Sequence, residues 1–234
     1  MTAAVEIEAA EAKEFRRLAR TLENLDVATY REFGRDPLQP IIGLGPQDAP
    51  ICFMGRDPGR EEVRLGLPFV GGAGQLLRAG LHIHLHPSRP YSFEAGLAAG
   101  AAMFWMNTVP YKPQGNKAWS ASVRKQFQPS MARLLARWRG ADVVTLGNEA
   151  FSWFGDGQGK NAREHLNRFW ERGDSRYEES VEVLIDLAGE ERSMRIHPLP
   201  HPSRANAIWS ARFPALLEQR LTALLPRASA VSTG

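Results

Sequence analysis

The sequence predicts an α/β fold, a three-layer α/β/α arrangement around a central, mostly parallel four-stranded sheet. Three observations predict it. Short apolar runs at residues 51–55, 102–106, 142–146 and 194–199 read as strands buried on both faces. Segments with helical spacing lie between them, and such alternation implies a parallel sheet covered by helices. A length of 234 residues suits one such domain, because a chain of this size buries roughly 70% of its unfolded surface.

Residues 6–32 place Phe15, Leu18, Leu22, Leu25 and Val27 among charges at helical spacing, and Gly34 and Pro37 end that helix. This helical region, 1–35, is read as part of the same domain. Gly43, Gly45, Pro46 and Pro50 make a turn-rich approach to the first strand. After a further loop, 74–85 reads as a helix. The second strand ends at Asn107, and a loop rich in Pro, Gly and Lys covers 108–118. Residues 122–138 form a basic amphipathic helix containing Met131, Leu134, Leu135 and Trp138. The third strand ends at Gly147-Asn148, and helix follows around 160–172. Residues 181–187 alternate apolar with acidic side chains, as an edge strand does. The last strand enters the loop Pro200-His-Pro-Ser203, and 208–225 closes the fold as a helix. The small, polar tail 227–234 is expected to be disordered.

Composition excludes several classes. The lone cysteine, Cys52, sits in an apolar run, cannot close an intramolecular disulfide and offers no metal-ligand spacing. His82, His84 and His86 alternate, whereas ligands on one helix face need spacings of three or four. No metal and no organic cofactor is expected. No stretch is long and apolar enough to span a bilayer, and the N-terminus is acidic, unlike a secretory leader. A cytoplasmic monomer with no membrane partner is expected.

Charge is distributed unevenly. Residues 51–140 carry 12 basic and 4 acidic side chains, a net of +8, and residues 201–234 a net of +3. Residues 1–50 and 141–200 are net negative, at −3 and −5. Concentrated positive charge suits a polyanion, whose affinity is dominated by phosphate neutralisation, although basic helix faces are often simply solvated.

In open parallel sheets ligands bind at the carboxyl ends of the strands. Asp57, Asn107, Asn148 and His201 each follow a strand and converge on that rim. In Gly55-Arg-Asp-Pro-Gly59 the carboxylate is held between Gly and Pro, suited to orienting water or stabilising positive charge, or to bonding its own turn. Leu67-Pro-Phe-Val-Gly-Gly-Ala-Gly74 is neither a dinucleotide fingerprint nor a P-loop. Its Phe69 is either a stacking platform for a base or a core side chain. The Asn107 amide offers one donor and one acceptor, which suits a pyrimidine edge or a strand-end loop. His201 can hydrogen-bond a developing oxyanion, and Ser203 can hold a phosphate.

Taken together these residues resemble the uracil-DNA glycosylase superfamily, and its iron–sulfur family-four branch in particular, over roughly 40–222. Gly43-Leu-Gly-Pro-Gln-Asp-Ala-Pro50 and Gly55-Arg-Asp-Pro-Gly59 resemble that branch's lead-in and its Gly-Glu-Ala-Pro-Gly motif. Gly66-Leu-Pro-Phe-Val-Gly71 with Ala73-Gly-Gln-Leu-Leu77 is similar to its Gly-Arg-Pro-Phe-Val-Gly segment. Asn107-Thr-Val, Lys112-Pro-Gln-Gly-Asn-Lys117, Leu146-Gly and His201-Pro-Ser203 follow in the same order. The chain departs from the branch in two ways. Tyr111 and Phe127 stand where two cluster cysteines are expected, and residues 1–50 contain none, so the cluster is expected to be absent, with aromatic packing in its place. Asp57 replaces the motif's alanine and looks like the family-one aspartate beside the attacking water, while Gly59 replaces the family-one tyrosine that excludes thymine.

The resemblance implies excision of uracil from DNA by base flipping, leaving an abasic site. It assigns Asp57 and His201 to catalysis and Gly55, Arg56, Phe69 and Asn107 to the uracil. Pro58, Lys112, Lys117, Asn148, Ser203, Arg204 and Asn206 are assigned to the DNA, with Arg204 or Asn206 as the minor-groove wedge because Ala205 is small. Two alternatives stand beside it: a glycosylase for another deaminated or mismatched base, and a non-catalytic DNA- or abasic-site-binding module on the same fold. Covalent trapping of the product is disfavoured, since 61–66 holds no insertion and no histidine.

Overall fold

A computed structural model describes residues 3–202 and 207–225. The sheet contains β1 (Cys52–Gly55), β2 (Phe104–Asn107), β3 (Asp142–Leu146), β4 (Val181–Leu187) and β5 (Glu190–Leu199), in the order β2-β1-β3-β5-β4. The first four in that order are parallel, and β4 returns antiparallel to β5. The parallel part is the expected four-stranded sheet. The fifth strand is the expected edge: Val181, Val183, Ile185 and Leu187 are buried, while Glu182, Leu184 and Asp186 face out.

The central strands are continuous in apolar character because they feed two cores. Cys52, Met54, Phe104, Met106, Val143 and Ile196 enter one core, shared with α1 (Ala9–Ala19), α6 (Ala121–Ala136), α7 (Asn148–Ser152) and α8 (Lys160–Trp170). Ile51, Phe53, Trp105, Val144 and Leu199 enter the other, against α4 (Gly72–Leu85), α5 (Phe93–Gly100) and α9 (Ala207–Leu224). No helix among the described residues is long and apolar enough to cross a membrane.

The N-terminal region departs from a continuous helix. After α1 the chain turns, and α2 (Val27–Glu32) starts afresh from Asp26, whose carboxylate accepts from Thr29 N at 3.2 Å. The turn is drawn out to meet the 112–114 loop: Asn24 O accepts from Gln114 N, and Leu25 bridges to Pro113. Three helices go beyond the expected ones: α3 (Arg60–Leu65), α5 and α7. In α5 the buried residues are Gly96, Ala99 and Gly100, so the packing face carries no large apolar side chain to show a period. The tail 227–234 lies outside the described residues.

Candidate active site

The carboxyl ends of β2, β1, β3 and β5 lie side by side, and Gly55 is in register with Asn107. Asp57 follows β1, Asn107 ends β2, and His201 leaves β5 beside Gly147. A side chain on Gly147, where φ is +86°, would begin 3.2 Å from His201 Cβ. The structure therefore brings Asp57, Asn107 and His201 to one rim from distant parts of the chain.

Asp57 is the electrostatic centre. Its side chain is 2% exposed, and Arg56 Nε donates to its Oδ2 at 3.0 Å. Burial pushes its pKa up to about 7, against the Arg56 charge and the Trp119 backbone N–H, which favour the carboxylate. Its other oxygen, Oδ1, is buried without a hydrogen-bond partner among the described residues, as is Asn107 Oδ1. Buried acceptors are normally paired, so two unpaired ones on adjacent strand ends mark a place prepared for donors of a ligand. His201 keeps an exposed edge, yet the protein packed round it and the Arg56 charge both hold its pKa below the ordinary imidazole value.

Phe69 covers this floor. A Cβ on Gly55 would stand 2.8 Å from Phe69 Cζ, so glycine is what lets the ring approach β1, and the Asn107 amide lies beside the same position, 3.4 Å from it. The ring also packs on Trp105 at 5.0 Å between centroids, and Trp105 stacks on Phe53. Phe69 has φ +56°, an uncommon conformation for a side-chain-bearing residue, and its neighbours hold it there. Arg78 is buried, donates to Phe69 O at 2.8 Å and Pro68 O at 3.2 Å, and lies over the Trp105 ring. Glu62 accepts from Val70 N and Gly71 N with one oxygen and from Gly59 N with the other, tying the Asp57 loop to the Phe69 loop. Gly74 is needed because a Cβ there would meet Phe69 C at 2.1 Å. Thr108 is fully buried, and its N–H and Oγ1 both bond Arg56 O, fixing the loop from the β2 side.

The sequence model of the Uracil DNA glycosylase superfamily matches residues 42–225. The chain belongs to this superfamily. A Type-4 uracil-DNA glycosylase of Thermotoga maritima is 29% identical over 118 residues, which is 50% of this chain and 55% of the relative. The chain thus matches that relative over about half of its length. Superfamily membership accords with the α/β sheet and with the order of motifs along it.

A four-cysteine cluster does not fit these residues, since the chain has one cysteine. Tyr111 and Phe127, at two of the expected ligand positions, are fully buried with ring centroids 5.7 Å apart, and Tyr111 Oη donates to Leu38 O. Aromatic packing fills that volume.

Other expected site residues fall differently. Lys112, expected on the DNA, is 4% exposed and donates from Nζ to Asp26 Oδ2 at 2.7 Å and Pro113 O at 3.0 Å. A buried ammonium needs such a partner, and here it anchors the N-terminal turn rather than facing solvent. Lys117 is exposed and lines a cavity of about 820 Å³ with Trp119, Ser120 and Thr21. Trp119, which lines that cavity, also turns its backbone N–H to Asp57. Asn148 is exposed at the start of α7, Pro58 is buried, and Arg56 is half-buried. Ser203, Arg204 and Asn206 lie outside the described residues. Sequence reasoning missed Glu62, Arg78, Thr108 and Trp119. Of these, only Glu62 left a sequence signal, an acidic residue three positions after Gly59 at a helix start.

Proposed function

We propose that the protein is a DNA glycosylase that hydrolyses the N-glycosidic bond of uracil. The observation that carries this reading is the pair of buried oxygens without a partner among the described residues, Asp57 Oδ1 and Asn107 Oδ1, at the ends of two neighbouring strands, with the Phe69 ring packed against Gly55 on the same rim.

A base inside a stacked duplex is out of reach, so the nucleotide is flipped out at a cost of a few kcal/mol. The uracil stacks on Phe69. Its N3–H donates to Asn107 Oδ1, and Asn107 Nδ2 donates to its O4. Arg56 and Gly55 border the ring. Water held by Asp57 attacks C1′ as the C1′–N1 bond breaks. The water proton passes to the Asp57 carboxylate, and the bonding pair leaves on uracil. His201 hydrogen-bonds the uracil oxygen that takes up this charge, an effect commonly worth about 3 kcal/mol. A base whose pKa is about 7 is matched to work near neutrality. Lys117 and Asn148, with Ser203, Arg204 and Asn206, grip the backbone. The wedge is Arg204 or Asn206.

Gly59 favours a second reading, in which hypoxanthine, xanthine or mismatched thymine is also released, because no side chain there excludes a methyl group. One assay decides the range: release of each base from labelled single- and double-stranded DNA. Uracil release is expected throughout. Binding without release of any base would instead support a non-catalytic module.

A further inference from the structure

Arg78, on α4, is buried behind the Phe69 loop, and no carboxylate forms an ion pair with it among the described residues. Its guanidinium serves neutral groups instead. Nε donates to Phe69 O at 2.8 Å and Nη2 to Pro68 O at 3.2 Å, so one planar fork spans two successive carbonyls. Its Cζ lies 4.2 Å from the Trp105 ring centroid, and Trp105 is itself fixed by donating Nε1 to Gly100 O at 2.8 Å. Gly100 leaves the room for this: a Cβ there would meet Arg78 Nη1 at 2.2 Å and Trp105 Cζ2 at 2.9 Å.

The two carbonyls flank the Phe69 Cα, so their relative placement is set by φ and ψ of Phe69. A donor fork that fits both selects that one backbone conformation, with φ at +56°. A residue with a side chain does not choose this φ by itself. It is the conformation in which the ring lies against Gly55, with Cζ 2.8 Å from where a Cβ would stand.

We propose that Arg78 is a positioning residue of base recognition: by bridging the Pro68 and Phe69 carbonyls it locks Phe69 in the left-handed conformation, so that the stacking surface stands ready before a base arrives. This rests on the glycosylase reading of the site. A lysine ammonium is a point donor and does not reproduce the fork. Without the lock the Phe69 backbone relaxes to negative φ and the ring leaves Gly55. Part of the binding energy of the base then goes into re-forming the platform. Arg78 is 5% exposed and acts through Phe69, not by touching the DNA.

The test compares the wild type with Arg78→Lys, which keeps the charge, and Arg78→Met, which keeps the length. Single-turnover uracil release, inhibition of release by free uracil, and affinity for uracil-free DNA are measured on the folded fraction of each. Both variants are expected to release uracil at least about tenfold more slowly. They are expected to need at least about fivefold more free uracil for equal inhibition, the loss of one base–aromatic stack. Affinity for uracil-free DNA, which rests on backbone contacts, is expected to stay within about twofold. In a Phe69→Ala background, Arg78→Lys is expected to add nothing. A full further loss in that background overturns the proposal, as does unchanged inhibition by uracil in the single variants. If the wild type releases no uracil, the glycosylase reading fails by itself. The lock is then read by NMR: the nuclear Overhauser effect between the Phe69 ring and the Gly55 Hα protons is expected in the wild type and lost in Arg78→Lys. Its retention in Arg78→Lys overturns the proposal.

Discussion

The Phe69 ring lies against Gly55 so closely that a Cβ on the glycine would begin 2.8 Å from Cζ and 3.0 Å from Cε1. Any side chain at position 55 must displace the ring or the strand end. Gly55→Ala is expected to cost about 1–3 kcal/mol of stability, the usual effect of overpacking, and to lower uracil release at least about tenfold by closing the space under the ring. Thermal melting and single-turnover kinetics check both. Wild-type kinetics in Gly55→Ala would remove Phe69 from its place over the base.

Glu62 joins two loops through three backbone N–H groups. Glu62→Ala strands those donors, each worth about 1 kcal/mol or more when buried, so a loss of about 3 kcal/mol is expected. Glu62→Gln keeps one acceptor oxygen and should lose less. Urea unfolding measures the stability difference, and uracil release should fall in the same order. Equal behaviour of the two variants would show that hydrogen bonding by Glu62 does not hold the loops.

Asp57 couples stability to pH. Its folded pKa, about 7, lies above the ordinary carboxylate value of 3.8, so the folded state binds its proton more tightly. That stability is fully present below about pH 4 and is lost as pH rises through about 7. At higher pH the buried carboxylate costs roughly 2–4 kcal/mol, which Asp57→Asn avoids. The melting temperature of Asp57→Asn should therefore pull ahead of the wild type between about pH 4 and about pH 7 and stay ahead above it. A pH-independent gap would contradict the buried, proton-holding carboxylate.

His197 gives the opposite sign. Burial lowers its pKa to about 4, helped by the Arg220 charge and opposed by Asp142, to which Nε2 bonds at 2.8 Å. The unfolded chain binds this proton more tightly, so stability is complete above about pH 6.5 and falls as the pH drops toward 4. The expected loss is about 3 kcal/mol. Chemical denaturation of wild type and His197→Gln across that range checks it, the variant being expected to lack the decline.

Much of the sheet was legible because strands buried on both faces leave unmistakable apolar runs, and Asp57, Asn107 and His201 were legible because each ends such a run. What stayed hidden depends on partners distant in the chain. Lys112 belongs to a basic segment, and nothing in the sequence pairs it with Asp26, 86 residues away. Arg78 reads as an ordinary helix cation, yet its guanidinium holds the Phe69 carbonyl. α5 left no helical period because its packing face is built on Gly96 and Gly100, which admit Arg78 and Trp105: a Cβ on Gly96 would lie 3.2 Å from Arg78 Cβ, and one on Gly100 2.9 Å from Trp105 Cζ2.

The most direct measurement is the appearance of free uracil from a uracil-containing oligonucleotide, followed under single turnover for the wild type, Asp57→Asn and His201→Ala. The proposed chemistry predicts free uracil and an abasic strand from the wild type, with rates reduced at least about a hundredfold in each variant. Near-wild-type release by both variants, or an intact glycosidic bond with the wild type, would contradict it.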